Sequence, residues 1–386
     1  MDLDLSDEQR LLSDSINGLL ARRYPDVVKT RMALMKEPKG YSAAGWQEFA
    51  DQGLLAIPFA EDEGGLGQGA VEMMIVAEAI GRTLALEPFF PTVVLAGGVL
   101  RHAANAEQRA RFVPGIIEGK TTFALAHQEK QSRFDLFDVG LTARSGDDGG
   151  FVLDGEKCVV LYGDSADKLI VTARVSGERR ARDGIGLFVV DGQAEGVSRQ
   201  GYPTQDGQRA ADMSLSGVKV AAADVLGKPD QALAALERTV DEAIAFQAAE
   251  AVGCMDVLHA TTVDFLKTRK QFGQLLSSFQ VLQHRSVDMF THLEQARSIL
   301  YYATMMAEEP DTAERRRAMH AAKVQIGRSG RHIGQDAVQL HGGIGMTAEY
   351  KVGHYFKRLT MLDLAFGNAD HHLRELARAG GLIDAA

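Results

Sequence analysis

The 386-residue chain is 45 % hydrophobic and 24 % charged, the balance of a water-soluble globular protein too long for one simple core. Its net charge of −10, with no Lys/Arg-rich block, argues against a nucleic-acid polyanion as main partner, while a local basic pocket for a phosphorylated cofactor stays open. Two cysteines, Cys158 and Cys254, do not make a disulfide framework and point to reduced thiols in a cytoplasm. The acidic start Met1-Asp2-Leu3-Asp4-Leu5 lacks the basic-then-apolar pattern of a signal peptide. The longest apolar run, residues 91–100, is too short to cross a bilayer, so no transmembrane segment is expected.

Residues 1–120 read as a helical domain. Ser6 and Gln9 form a capping sequence ahead of Leu11, Leu12, Ile16, Leu19 and Leu20 at helical spacing. Residues 42–52 make a short helix with Trp46 and Phe49 on one face, and residues 71–84 and 107–117 make two more. The glycine-rich stretch 61–67 is too acidic to hold phosphate and reads as a plain turn. Residues 121–226 read as a central β domain. Residues 151–157 suggest a strand and turn, and 169–173, 185–190 and 212–220 suggest strands. Short strands between turns predict an antiparallel sheet or β-barrel. Residues 227–386 return to helix over 231–268 (one helix, or two with a break), 280–308, 311–341 and 347–379. Four long helices with short connections predict a four-helix bundle. The expected class is therefore α+β and multidomain.

Two stretches carry chemistry. The first, residues 268–280, puts Arg269, Phe272, Phe279 and Gln280 around Gly273 where a long helix should stop. A guanidinium there can donate two parallel hydrogen bonds to a phosphate; equally, the stretch can be a surface turn with a solvated Arg. The second is Gln339-Leu340-His341-Gly342-Gly343-Ile344-Gly345-Met346, which alone can be a helix end and turn.

Together, in this domain order, the two motifs resemble the acyl-CoA dehydrogenase family. The carrying residues are Arg269-Lys270-Gln271-Phe272-Gly273, then Phe279, Gln280 and Gln283, then residues 339–346, with a partial β-domain signature at Gly155-Glu156-Lys157. The resemblance spans essentially the whole chain. It implies an α,β-dehydrogenation of an acyl-CoA thioester, in which a carboxylate takes the α-proton and FAD takes the β-hydride. It also implies a dimer of dimers with FAD across a subunit interface. Arg269, Phe272, Gln280, Gln339, Gly342 and Gly343 then contact a flavin bound mainly by a neighbour.

The departures are as specific as the matches. The family's commonest base is a Glu before a Gly near the C-terminus; here that place is Phe366, before Gly367. The alternative base position, on the long helix, falls on Ala243. Glu242 is adjacent, but one residue on a helix turns the side chain by about 100°, so a solvated surface carboxylate is the simpler reading. The hydroxyl-bearing loop that normally touches flavin and thioester is replaced by residues 126–135, and the flavin-flanking Trp-Ile-Thr by Val159, Val160 and Leu161. His371 and His372 are adjacent, and adjacent helical residues point apart, so no metal site is expected.

This pattern resembles the small, degenerate-site subunit of heteromeric bacterial members of the family. The tail, residues 353–359 and 366–373, is similar to pimeloyl-CoA dehydrogenase small subunits; related paired enzymes act on steroid side-chain CoA thioesters. The expectation is a chain that completes the flavin site of a catalytic large subunit in an α2β2 assembly. Two alternatives stand beside it: a self-associating homotetramer using Glu242 as base, and a flavin-free scaffold or regulatory binding subunit.

Overall fold

The computed structural model describes residues 4–146 and 149–380. In chain order the helices and strands are α1 Asp7–Arg23, α2 Val27–Leu34, α3 Ala43–Asp51, α4 Ala70–Thr83, α5 Gly97–Ala103, α6 Ala106–Ile117, β1 Phe123–Ala126, β2 Thr142–Ser145, β3 Phe151–Leu161, β4 Lys168–Arg174, β5 Ile185–Asp191, β6 Val197–Pro203, β7 Arg209–Val220, β8 Val225–Leu226, α7 Leu233–Thr268, β9 Lys270–Gln271, β10 Gln274–Leu275, α8 Gln280–Met306, α9 Thr312–His341, α10 Lys351–Leu364 and α11 Ala369–Ala379. No described helix is long and apolar enough to cross a membrane. The buried run at residues 91–100 is a π-helical turn, Phe90–Ala96, that leads into α5.

The chain divides into two compact units, and the division falls within α7. One unit comprises residues 1–33, 69–85 and 244–386. Its helices α8, α10 and α11 pack on α9, and α1 packs on α4. Ser6 and Gln9 form the expected reciprocal capping box on α1. Small residues let helices approach: a Cβ on Gly81 would lie 2.1 Å from the Glu250 carbonyl oxygen. The Glu250 carboxylate takes two hydrogen bonds from Arg358, at 2.6 and 2.8 Å, and both groups are buried. A buried charge needs this kind of bidentate partner to repay its lost hydration.

Of the two alternatives held for residues 231–268, the single unbroken helix is found, α7, of 36 residues, and one expectation for this unit changes. Residues 347–379 form two helices, because Phe366 (φ 56°) and Gly367 (φ 114°) leave helical space and Asn368 caps α11 through the His371 backbone N–H.

The other unit comprises residues 34–68 and 86–243. Its eight-stranded sheet runs β6-β7-β3-β2-β4-β5-β8, with β1 added beside β4. The sheet is mixed rather than purely antiparallel: β1 pairs with β4 in parallel, and β2 touches β4 the same way. The ends of the path, β6 and β8, do not pair with each other. Alternate residues of the strands, among them Leu153, Leu169, Val171, Phe188, Met213 and Val218, build one apolar core. Residues 151–157 are not a strand and turn: β3 continues through Gly155 to Leu161, with bulges after Leu153 and Lys157. Gly155 sits at φ 145°, and a Cβ there would lie 2.8 Å from the Leu141 Cα. Close strand approach explains this glycine.

Candidate functional site

The long helix α7 stops at Thr268, and Arg269 still donates its backbone N–H to the Phe265 carbonyl at 2.9 Å. A two-residue hairpin follows, β9 pairing with β10 and Phe272-Gly273 at the tip. Both tip residues have positive φ, 53° and 79°, as a type I′ turn requires. Gly adopts that conformation freely, whereas Phe pays a steric cost. The Phe272 ring is 89 % exposed, with the Phe279 ring edge-on at 6.2 Å. Arg269 is exposed and forms no ion pair among the described residues. Gln280 opens α8, also exposed. Gln283 Nε2 donates to the Ser277 carbonyl at 2.7 Å and fixes the turn into α8.

The second motif closes α9. Gln339 is exposed on the last turn, and Gly342 takes φ 62° after His341. Nothing lies within 4 Å of where a Cβ on Gly342 or Gly343 would be, so the backbone there is open to close approach. His341 is buried, and its Nδ1–H donates to the Ala337 carbonyl at 2.8 Å. Burial lowers its pKa, against the pull of that carbonyl. Its ring packs on Phe265 at 4.4 Å and on Tyr350 at 5.2 Å. The first of these contacts joins the end of α9 to the end of α7, so both motifs lie on one side of one unit. Sequence reading named His341 only as part of a string; its role as the link between the motifs is long-range.

At the first base position, Phe366 is half-buried on the turn between α10 and α11. Lys323, on α9 and buried, donates to the carbonyls of Leu362 (2.7 Å), Asp363 (3.0 Å) and Ala365 (2.8 Å). Burial pushes the Lys323 ammonium down to about 7, with Asp363 pulling the other way. His372 Nε2–H donates to the Phe366 carbonyl at 3.1 Å. Its Nδ1 is therefore the acceptor for the Nδ1–H of His320, 2.7 Å away. Burial, then the neighbouring Lys323, pushes His372 down to about 2, and burial pushes His320 to about 4. His372 is thus part of a neutral imidazole pair with His320, and no metal-binding group of three ligands is present among the described residues.

Ala243, at the second base position, is fully buried. Glu242 is not a solvated surface residue. Its carboxylate accepts from Arg101 at 2.6 Å and Arg238 at 3.2 Å, and lies 2.9 Å from His102 Nε2. Burial raises its pKa, but His102 and Arg101 outweigh that and hold it at about 2. A carboxylate so stabilised as an anion is a poor proton acceptor. The sequence could not show this trio, because Arg101 and His102 lie some 140 positions away.

In the sheet unit, a groove of about 590 Å³ is lined by Glu129, Lys157, Cys158, Gln200, Asp212 and Ser214, among others. Lys157 and Glu129 form a buried ion pair at 2.6 Å. Lys157 also donates to Thr172 at 2.9 Å, and Glu129 accepts from the backbone of Gly140 and Leu141. Burial alone would raise Glu129, but Lys157, the Gln131 amide and the Leu141 N–H hold it below the usual carboxylate range. Beside the groove, Val159 stands at φ 50° with its N–H on Asp212 at 3.1 Å. A β-branched residue in that conformation is an outlier.

Models of the three acyl-CoA dehydrogenase domains match the chain in order: the N-terminal domain at residues 6–120, the middle domain at 124–218 and the C-terminal domain at 233–381. Among curated relatives, 3-(aryl)acrylate reductase of Clostridium sporogenes is 27 % identical over 344 residues, covering 87 % of this chain and 89 % of that protein. Acyl-CoA dehydrogenase FadE27 of Mycobacterium tuberculosis is 27 % identical over 344 residues, covering 86 % and 87 %. Among solved structures, a variant of the Tcur3481-Tcur3483 steroid ACAD superposes with a TM-score of 0.84 at 28 % identity, covering 97 % of this chain and 99 % of that one. The FAD complex of PigA superposes at 0.90 with 22 % identity over 99 % and 100 % of the two chains, a likeness of fold. The chain belongs to the acyl-CoA dehydrogenase family.

Proposed function

We propose that this chain is the small subunit of a heteromeric, FAD-dependent acyl-CoA dehydrogenase, and that it completes a flavin site whose base belongs to a catalytic partner. One contrast carries the reading. The two base positions hold Phe366 and Ala243, which cannot titrate, while the flavin-gripping end is intact and bare. Arg269 offers an uncompensated guanidinium, Gln339 an exposed amide, and Gly342-Gly343 an open backbone. That set suits an anionic pyrophosphate, which a guanidinium binds through two parallel hydrogen bonds. Phe272 and Gln280 extend the same surface. FAD supplies hydride acceptance when bound; this chain's residues bind and orient it.

The comparisons support a paired assembly. A structure of the ChsE4-ChsE5 complex from M. tuberculosis superposes with a TM-score of 0.86 at 23 % identity. The state of Glu242 disfavours the homotetramer in which that residue is the base. The deciding experiment is co-expression with a candidate catalytic large subunit of the same family, followed by native mass and flavin stoichiometry. One FAD per αβ pair is expected. One FAD per chain, or flavin reduction by acyl-CoA with the purified chain alone, refutes the proposal; a complex with no band near 450 nm points to a scaffold.

A further inference from the structure

We propose that His341 is a proton-operated clamp on the cofactor end: an anionic group arriving at Gly342-Gly343 draws a proton from solvent onto its Nε2, and the doubly protonated ring then ties the end of α9 to α7. His341 is a positioning residue in this scheme and touches no reacting atom. The inference rests on the reading above, in which the phosphates of FAD meet this end of the chain.

The hydrogen bonding of the ring is the first observation. His341 is only 4 % exposed. Its Nδ1–H donates to the Ala337 carbonyl of its own helix, while its Nε2 is buried without a hydrogen-bond partner. A second carbonyl acts on the ring from α7, that of Thr261, one turn before the Phe265 ring that packs on the imidazole. A neutral imidazole has one N–H and serves one carbonyl; an imidazolium has two and serves both. Serving both joins α9 to the helix that delivers Arg269. The glycine turn is built onto the same residue: a Cβ on Gly345 would lie 3.1 Å from the His341 Cβ. Whatever settles on Gly342-Gly343 therefore sits on the backbone that carries this ring.

Charge is the second observation. His341 stands in the last turn of α9, where a helix end carries partial negative charge that favours a cation and opposes an anion. Phosphates at Gly342-Gly343 meet that unfavourable end, and a proton on His341 offsets it. Burial holds the proton off, the Ala337 and Thr261 carbonyls draw it on, and Lys351 at the start of α10 opposes it. Tyr350, the remaining titratable neighbour, stays neutral because burial raises its phenol. An anion added at this end counters Lys351 and tips the balance toward the protonated ring.

The test reads the proton by linkage: if FAD binding takes up protons, the FAD dissociation constant rises with pH in proportion to their number. The assembly as purified, with its flavin, is ultrafiltered from about pH 6 to about pH 8 and free FAD is read by fluorescence; the diester phosphates of FAD stay ionised throughout. Wild type is expected to take up about 0.3 proton per FAD on average, a roughly fourfold rise in the dissociation constant across the range. His341→Gln and His341→Phe, the second keeping a ring against Phe265, should each flatten that rise, and either variant suffices should the other fail to fold. A flat wild-type profile, or a slope that persists in the His341 variants, refutes the clamp while the flavin reading stands. If the assembly holds no FAD, or Arg269→Ala leaves FAD dissociation unchanged, the flavin reading and the clamp fall together.

Discussion

The His341 ring lies 4.4 Å from the Phe265 ring, on the turn of α7 that precedes Arg269. Through this contact the end of α9 sets where the end of α7 delivers its arginine. His341→Ala should therefore lower flavin retention by the assembly as well as stability. Ring pairs of this type contribute about 0.5–1.5 kcal/mol beyond the area they bury. Flavin content after gel filtration, set beside the thermal midpoint, checks it; undiminished flavin content would separate His341 from the cofactor end.

Arg269→Ala should weaken FAD binding on the order of 10- to 100-fold, the range for losing a hydrogen bond to a charged group. Arg269→Lys should recover part of that, because an ammonium is a point charge without the two-pronged geometry. Fluorescence titration of the flavin-stripped assembly measures both.

Glu242 makes a pH-dependent contribution to stability. Its pKa falls from 4.5 to about 2 on folding, and at about 1.4 kcal/mol per unit this is on the order of 3 kcal/mol. Because the folded pKa is depressed, the contribution is complete above pH 4.5 and is lost as pH falls toward 2. Glu242→Gln should remove that part of the acid dependence in urea titrations from about pH 5 to about pH 2.5. The assembly's turnover should change little; a loss of several orders of magnitude would make Glu242 the base.

Lys157→Met leaves Glu129 buried without its cation and should cost about 3–5 kcal/mol. Replacing both residues, Lys157→Met with Glu129→Leu, should recover much of it, even though the Gly140 and Leu141 amides then lose an acceptor. A double-mutant cycle in denaturant gives the coupling directly.

Val159→Gly sets relief of a left-handed backbone, about 1–2 kcal/mol, against lost packing of a side chain only 38 % exposed and the backbone entropy of glycine, so stability should change by less than about 1 kcal/mol. A larger fall in the thermal midpoint would mean that the Val159 methyls matter more than the strain.

Much of this protein was legible before its coordinates. Helices α1, α3, α4 and α6 to α9 follow from apolar spacing and caps, because those signals are local. The two motifs proposed to meet the flavin are also local strings. What escaped was either short or distant. The α10–α11 break rests on Phe366, Gly367 and Asn368 inside an otherwise continuous helical pattern. Strand β1, Phe123–Ala126, is buried on both faces and shows no alternation; β6, Val197–Pro203, has too few apolar residues to read as a strand. The Glu129–Lys157 pair spans 28 positions, and the partners of Glu242 some 140. Ion pairs of that reach depend on the fold and leave no periodic trace.

The hairpin tip has a consequence for the life of the chain in a cell. A phenylalanine 89 % bare stands beside an exposed arginine that forms no ion pair among the described residues, and the proposed partner would cover both. If the chain is the small subunit proposed above, a molecule made in excess of its partner would display that tip to holdases and proteases and be the shorter-lived form. Pulse-chase lifetimes with and without the partner gene would show it, the lone chain decaying faster and Phe272→Ser slowing that decay.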